Sequence, residues 1–451
     1  MSINRVTNHE NIPQYHLAMI AAMSVLWFAM EPQLFSSTNV FEWRSAMIQY
    51  SGILSLMLMS ITMVLAMRLP VVENWLHGMD KAYRVHKWLG IGGVALGLAH
   101  WLWYQVPKWL VMSGVLARPE KHTGAGPEGN LSGIEAWIHG LRDLAQGMGE
   151  WGFYMLLVLL VVSLWGAVKY KPFKLSHRFM SVAYLLIAIH SVLLLKRAYW
   201  GEPVYYLTVG FAVVGSIAAL YSLFGFVGRR NKHSAVVAST RYFPQAEVME
   251  LVVKPNASWQ GHKAGQFAYL RFGDEDAHPF TIVSGSESNE LRFLIKELGD
   301  FTTGLYERVK AGDAVMVEGP YGRLEFDLEK PQIWIAGGVG IASFFAALEA
   351  LKVQAQTSDV HLFYCSRGID GQLVDELWHL AHQASVKLHV IDTMKSPRLN
   401  AERIAAQCGD LNQYEMYFCG PEAFSKTLKK ELDAHQFNIE QSYHEELFIM
   451  R

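Results

Sequence analysis

Cysteine is scarce in this chain of 451 residues: it has three, Cys365, Cys408 and Cys419. None stands in a CxxC spacing, which removes a thiolate metal knuckle or a dithiol redox motif. So few thiols suit a reducing cytosol rather than a disulfide framework. Charge is sparse too. Charged residues make up 18% of the chain against 51% hydrophobic, and the net charge of −2 leaves no basic footprint for nucleic acid. The apolar run from His16 to Met30 has no small-residue cleavage site behind it, so it reads as a retained helix rather than a removed signal. No EF-hand loop and no long regulatory insertion is legible.

What is present divides sharply. Up to about Gly228 the chain is a series of long apolar runs, and beyond it the pattern is that of a soluble protein. Six membrane spans are expected: Tyr15–Met30, Ser45–Met67, His86–Tyr104, Trp151–Val168, His177–Leu195 and Val204–Val227. Several have Trp or Tyr at their ends, as interfacial belts do. Basic residues gather in three places: Arg68, Lys81, Arg84 and Lys87; then Lys169, Lys171, Lys174 and Arg178; then Arg229, Arg230 and Lys232. Even numbers of spans separate these groups, so they share a side. The positive-inside rule makes that side, and both termini, cytoplasmic. The expected location is an inner or plasma membrane of bacterial type. The connection 105–150, Gly-rich at its centre, then faces outward.

Four histidines lie inside two of these runs. His86 and His100 are 14 positions apart in the third, and His177 and His190 are 13 apart in the fifth. At ~1.5 Å per residue each pair spans about 20 Å of helix, most of a hydrocarbon core of about 30 Å. Ionisable groups at that depth are expensive and mark functional sites. Both runs point the same way through the bilayer. Pairing by depth therefore gives His86 with His177 near the cytoplasmic face and His100 with His190 near the outer one. Neutral imidazole is a common iron ligand, and two of them leave no open coordination position. His16, His77, His122 and His139 have no such matching. At about 100° per residue, 14 steps fall about 40° short of four turns but 13 fall about 140° short. No proline lies between His177 and His190, so a π-bulge or tight turn is expected there. The glycines Gly90, Gly92, Gly93 and Gly97 allow close approach of either a helix or a porphyrin face.

Six spans with histidine pairs at these spacings resemble the transmembrane domain shared by ferric reductases and NADPH oxidases. The resemblance implies two b-type haems held by His86, His100, His177 and His190. It also implies basic partners for the haem propionates. Arg84, Lys87 and Arg178 are candidates on one side, and Lys196 and Arg197 on the other. Tyr184, midway along the fifth run, could lie between the haems or simply pack.

The soluble half reads as two domains. Short strand-like segments (EVMELVV, QFAYLRF, FTIVSG, LRFLIKEL, AVMVEGP) predict an antiparallel β-barrel over 231–328. Strand–helix alternation over 329–451 predicts a parallel α/β nucleotide-binding domain. The order resembles the ferredoxin–NADP reductase module, the usual cytosolic half of the same family. The full expectation is a multidomain chain: an all-α six-helix bundle over 1–230, the barrel, then the α/β domain.

The motifs carry the cofactor assignments that this resemblance implies. His278, Pro279, Phe280 and Thr281 resemble the family's flavin motif, with Ser284 close behind. Gly299, Thr302 and Thr303 resemble the segment that approaches the FAD pyrophosphate. Gly337, Gly338 and Gly340 lie between a strand and a helix, where backbone must approach a pyrophosphate closely. Ser343 follows them as a cap or phosphate contact. Ser366 and Arg367 end the next strand, and an arginine there suits the 2′-phosphate of NADPH, with NADH possible. Cys419, Gly420 and Pro421 resemble the motif beside the nicotinamide. Phe448, with Glu446 nearby, is the candidate to cover the flavin ring.

The expected function is electron transfer from cytosolic NADPH through FAD and two haems to an outer-face acceptor. Ferric iron is favoured, because the long outer connection could shape a substrate surface. The alternatives are dioxygen reduction to superoxide, an electron-transfer subunit for an outer-face protein partner, and a haem-free membrane flavoreductase.

Overall fold

The structure, a computed structural model, describes residues 11–446 apart from 77, 118–132, 134–136, 138, 167, 169, 323, 325, 327–329 and 353–358. Phe448, His77, His122 and the glycine-rich centre of 105–150 lie outside the described residues. The chain forms two compact units. One comprises Glu10–Val72 and Ala82–Val227, and the other includes Glu73–Lys81 and Gly228–Arg451.

The first unit is built from helices α1 (Asn11–Met30), α2 (Val40–Leu65), α3 (Met79–Met112), α4 (Arg142–Leu164), α5 (Tyr170–Arg178), α6 (Met180–Leu193) and α7 (Pro203–Leu223). Among the described residues four stretches are long and apolar enough to cross a membrane: Val40–Leu65, Arg142–Leu164, Pro172–Leu193 and Pro203–Leu223. The other two expected spans depart from that pattern for visible reasons. In α1 the described apolar stretch is Leu17–Met30. In α3, 34 residues long, histidines, tryptophans and glycines dilute the apolar run.

Helix α2 is buried continuously from Ile53 to Ser60, because its neighbours present small residues to it. A Cβ on Gly93 of α3 would come within 2.8 Å of Met59 Cγ, and one on Gly97 within 3.3 Å of Ser55 Oγ. Ser55 in turn donates to the Gly93 carbonyl at 2.7 Å. The α3 glycines therefore serve helix packing. Tyr184 of α6 is fully buried. Its hydroxyl meets Ser60 Oγ of α2 at 2.8 Å and lies where a side chain on Gly215 of α7 would be. Tyr184 thus ties α2, α6 and α7 together, a packing role.

The expected irregularity between His177 and His190 is a tight turn at Phe179, between α5 and α6. Phe179 N–H bonds back to the Ser176 carbonyl, three residues away, at 3.0 Å. A three-residue turn overwinds the helix and recovers part of the angle that 13 regular steps leave short.

In the second unit, strands β1 (Lys232–Phe243), β2 (Val248–Pro255), β3 (Phe267–Phe272), β4 (His278–Thr281), β5 (Leu291–Lys296) and β6 (Ala314–Tyr321) form one sheet. Its order is β4-β3-β6-β1-β2-β5, and all its described pairings are antiparallel. The sheet curls until a bridge between Ile282 and Phe293 links its two ends. Strands β7 (Gln332–Gly337), β8 (Val360–Ser366), β9 (Lys387–Asp392), β10 (Glu415–Cys419) and β11 (Tyr443–Glu446) form a parallel sheet in the order β11-β10-β7-β8-β9. Helices α8 (Ile341–Leu351), α9 (Gly371–Gln383), α10 (Ala401–Cys408) and α11 (Glu422–Ala434) connect and cover it. β7 and β8 are buried along their whole length, as central parallel strands must be.

The two sheets share a core. Phe243, Val248, Val283 and Leu294 pack in one cluster with Trp334, Phe344, Phe345 and Leu348. Four charges close the seam. Arg241 bonds Glu250 at 2.8 Å and Glu376 of α9 at 2.9 Å, and Arg292 pairs with the same two carboxylates.

Candidate functional site

Each pair of histidines meets across the bundle. His86 and His177 have ring centroids 5.9 Å apart, and His100 and His190 are 6.0 Å apart. The hydrogen bonds fix which nitrogen faces the partner. The Nδ1 of His86 donates to the Thr62 carbonyl at 2.9 Å, that of His100 to Ile48 at 2.8 Å, and that of His190 to Ala145 at 2.9 Å. A carbonyl only accepts, so these rings carry their proton on Nδ1 and keep the Nε2 lone pair. His177 Nδ1 lies 3.2 Å from Ser163 Oγ, whose own proton goes to the Leu159 carbonyl at 2.7 Å. The hydroxyl oxygen therefore accepts, and His177 has the same tautomer. A ligating histidine is typically oriented in this way by a second hydrogen bond.

The spacing suits one metal between two rings. A nitrogen–metal bond of about 2.0–2.1 Å on each side, with each ring centre about 1.1 Å behind its nitrogen, puts centroids roughly 6 Å apart. Among the described residues no group of three or more His, Cys, Asp or Glu could hold a metal ion. Two protein ligands suffice only where the cofactor supplies the rest of the coordination sphere, as a porphyrin does. The donor set fits haem.

Sequence reasoning missed the residues that make room for these rings. A Cβ on Gly149 would collide with the His190 ring, and one on Gly52 would come within 3.0 Å of His100 Nδ1. Each glycine sits one turn beyond the carbonyl that its histidine uses: Ala145 then Gly149, Ile48 then Gly52. No sequence signal marks these glycines, because nothing in sequence says which helix a histidine will lean on. Two of the basic residues expected near haem propionates are engaged by protein. Arg178 donates to the Leu223 carbonyl at the end of α7, and Lys196 pairs with the buried Glu31.

In the second unit the flavin-motif residues are drawn together. β4 holds His278, Pro279, Phe280 and Thr281 against β3. His278 stacks on Phe301 at 3.8 Å, which brings that motif against the Gly299–Gly304 segment. Within that segment the Thr302 hydroxyl accepts from Leu298 N–H at 2.7 Å and the Thr303 hydroxyl donates to the Gly299 carbonyl at 2.9 Å. The helix that follows, Leu305–Arg308, is a single turn. Ser284 Oγ accepts from Arg292 N–H at 3.2 Å.

The parallel sheet has its switch point between β7 and β10, where ligands of α/β sheets bind at the carboxyl ends of the strands. Both glycine motifs converge there. A Cβ on Gly337 would lie 2.7 Å from Pro421 Cδ, one on Gly420 3.0 Å from Gly337 Cα, and one on Gly340 would strike the Cys419 carbonyl. These glycines are needed because two loops touch. Gly338, at φ +57°, differs from them in having open space beside it. The α8 N-terminus has no side-chain cap, and its first N–H, that of Ile341, bonds back to the Gly338 carbonyl in the preceding turn. Ser343 neither caps nor reaches outward. It is buried with its Oγ 3.5 Å from Cys419 Sγ. Ser366 is buried at the end of β8 and Arg367 is exposed just beyond it. β11 pairs in register with β10 and sets Glu446 opposite Cys419. Burial pushes the Cys365 and Cys408 thiols up to about 12, which makes both inert.

Comparison with known proteins agrees with both units. Residues 51–188 match the family described as ferric reductase like transmembrane component, and residues 233–325 match the family described as FAD-binding domain. The chain is 28% identical over 183 residues to the anthranilate 1,2-dioxygenase electron transfer component of Acinetobacter baylyi, covering 38% of this chain and 53% of that one. It is 25% identical over 296 residues to dual oxidase 2 of Rattus norvegicus (60% and 18%). It is 36% identical over 88 residues to ferric reduction oxidase 2 of Arabidopsis thaliana (18% and 12%). These matches span about half the length of the curated relatives, or less. Apolar helices of the first kind joined to a flavin domain of the second define an integral membrane flavoprotein. The two matched segments and these relatives fit the ferric reductase/NADPH oxidase family.

Proposed function

We propose that this chain is a membrane oxidoreductase that carries electrons from NADPH, through FAD and two b-type haems, to an acceptor on the outer face. The observation that carries the reading is the pair of opposed imidazoles at each of two levels, each ring held by Nδ1 with Nε2 left for iron. When bound, the flavin would turn a two-electron donor into single-electron steps and the haems would relay single electrons. The protein's part is to fix distance, orientation and environment. His86 and His177 hold the inner site, and His100 and His190 the outer one. His278, Pro279, Phe280, Thr281 and Ser284 would line the flavin, with Gly299, Thr302 and Thr303 toward its pyrophosphate. Gly337, Gly338 and Gly340 would admit the nicotinamide dinucleotide's phosphates and Ser366 and Arg367 its 2′-phosphate. Cys419, Gly420 and Pro421 would flank the nicotinamide. Phe448 would cover the flavin, with Glu446 beside it.

Topologically, six spans with both termini cytoplasmic satisfy the basic clusters named above. Outward electron flow from an inside-negative cytoplasm then gains about 2.3 kcal/mol per 100 mV. For the acceptor, ferric iron is the first reading, supported by the higher identity to a ferric reduction oxidase. Dioxygen is the second, supported by the longer match to a dual oxidase. NADPH-driven turnover by the purified chain in liposomes, with ferrous product and superoxide measured side by side, separates them. Ferrous product at a rate that superoxide dismutase leaves unchanged supports ferric reduction. Superoxide without ferrous product overturns it. If neither forms until a protein partner is added, the chain is an electron-transfer subunit.

A further inference from the structure

We propose that Ser163 sets the reduction potential of the inner haem site through His177, an inference that rests on the two-haem reading. Three of the four ring N–H groups are given to main-chain carbonyls at 2.8–2.9 Å, and the fourth, on His177, goes to a side-chain hydroxyl at 3.2 Å. That hydroxyl is oriented by its own donation to the Leu159 carbonyl at 2.7 Å. An amide oxygen carries more negative charge than a hydroxyl oxygen, and here it also makes the shorter bond. A stronger acceptor on Nδ1–H makes Nε2 more basic, and a more basic ligand favours ferric over ferrous iron. The outer site therefore has two strongly engaged rings. The inner site has one strongly engaged ring, His86, and one weakly engaged, His177.

Ser163 touches no reacting atom and acts as a positioning and tuning residue. Of these four contacts it is the one made by a side chain, so a substitution changes it without disturbing the backbone. The ring itself is held independently. Phe173 stacks on His177 at 5.2 Å and 24°, which keeps the imidazole plane in place when the hydrogen bond is removed.

The test is a spectroelectrochemical titration of the haem α-band in the full-length, haem-loaded protein. Ser163→Ala raises the midpoint of one component and leaves the other where it was. Ser163→Asp lowers that same component, and Ser163→Thr, which keeps the hydroxyl, restores it. The component that moves is the one lost in His86→Leu. Ser55→Ala, which removes a buried serine bonded to Gly93 rather than to a histidine, moves neither. Equal shifts in both components, or none in Ser163→Ala while two haems are present, would overturn the role of Ser163. Absence of b-type haem from the wild-type protein overturns the two-haem reading itself, and this inference with it.

Discussion

The His190 ring lies against the backbone of Gly149, one helical turn beyond the Ala145 carbonyl that accepts its Nδ1 proton. The glycine and the carbonyl act together, since the ring reaches the carbonyl only because no Cβ stands in its way. Gly149→Ala should displace His190 and empty the outer site, lowering haem content from about two to about one per chain. Gly52→Ala is milder, because its Cβ would stop 3.0 Å from His100 Nδ1. Haem per chain, measured as the pyridine complex, checks both.

Arg367 stands exposed past the end of β8, beside the buried Ser366. If it grips a 2′-phosphate, Arg367→Ala removes a charge-assisted hydrogen bond of about 1.5–3 kcal/mol, or roughly 10- to 100-fold in affinity. The KM for NADPH should rise by that factor while that for NADH stays nearly constant. Flavin reduction rates with the two donors give the answer, and equal loss for both would assign Arg367 elsewhere.

Gly337 and Gly420 face each other where the two nucleotide loops meet. Replacing either with alanine forces backbone apart at the switch point, an overpacking cost of about 1–3 kcal/mol. The substitution should slow NADPH-dependent flavin reduction and lower the unfolding midpoint of the soluble half, while leaving haem content untouched.

His361 and His389 stack on adjacent strands with Nδ1 and Nε2 3.1 Å apart, and Lys387 Nζ lies 3.4 Å from His361 Nε2. Burial lowers the pKa of both. The neighbouring imidazole and Lys387 lower His389 further, whereas Asp359 offsets part of the effect on His361. Below about pH 6.5 the unfolded chain binds protons that the folded chain resists. Stability contributed by this pair is therefore present above that pH and lost as pH falls through it. Melting followed by intrinsic fluorescence should show a lower midpoint at about pH 5.5 than at about 7.5, by roughly 2–4 °C per kcal/mol lost. His389→Phe, which keeps the stack on Phe363, should flatten that dependence.

The histidine spacing carried the pairing of His86 with His177 and His100 with His190, because helical rise converts sequence separation directly into depth. The tight turn near His177 was legible for the same reason, as an angle that did not close. What the sequence did not reveal were the contacts that depend on which helix packs where. Ser163, Gly52, Gly149 and the Thr62, Ile48 and Ala145 carbonyls are of this kind. So is the double role of the Gly337–Gly340 and Cys419–Pro421 loops. Glycine there reads as phosphate binding, while most of these glycines are required by the facing loop. Ser343 illustrates the limit, since its position after the glycines suggested a phosphate contact but the α8 face that carries it turns inward to Cys419.

The most direct test of the account is anaerobic reduction of the full-length chain by NADPH, followed at the haem α-band with haem per chain determined in parallel. Two b-type haems per chain, both reduced through the flavin, with one component missing in His86→Leu and the other in His100→Leu, is the predicted result. A chain that reduces its flavin with NADPH but shows no b-type haem bands would contradict it.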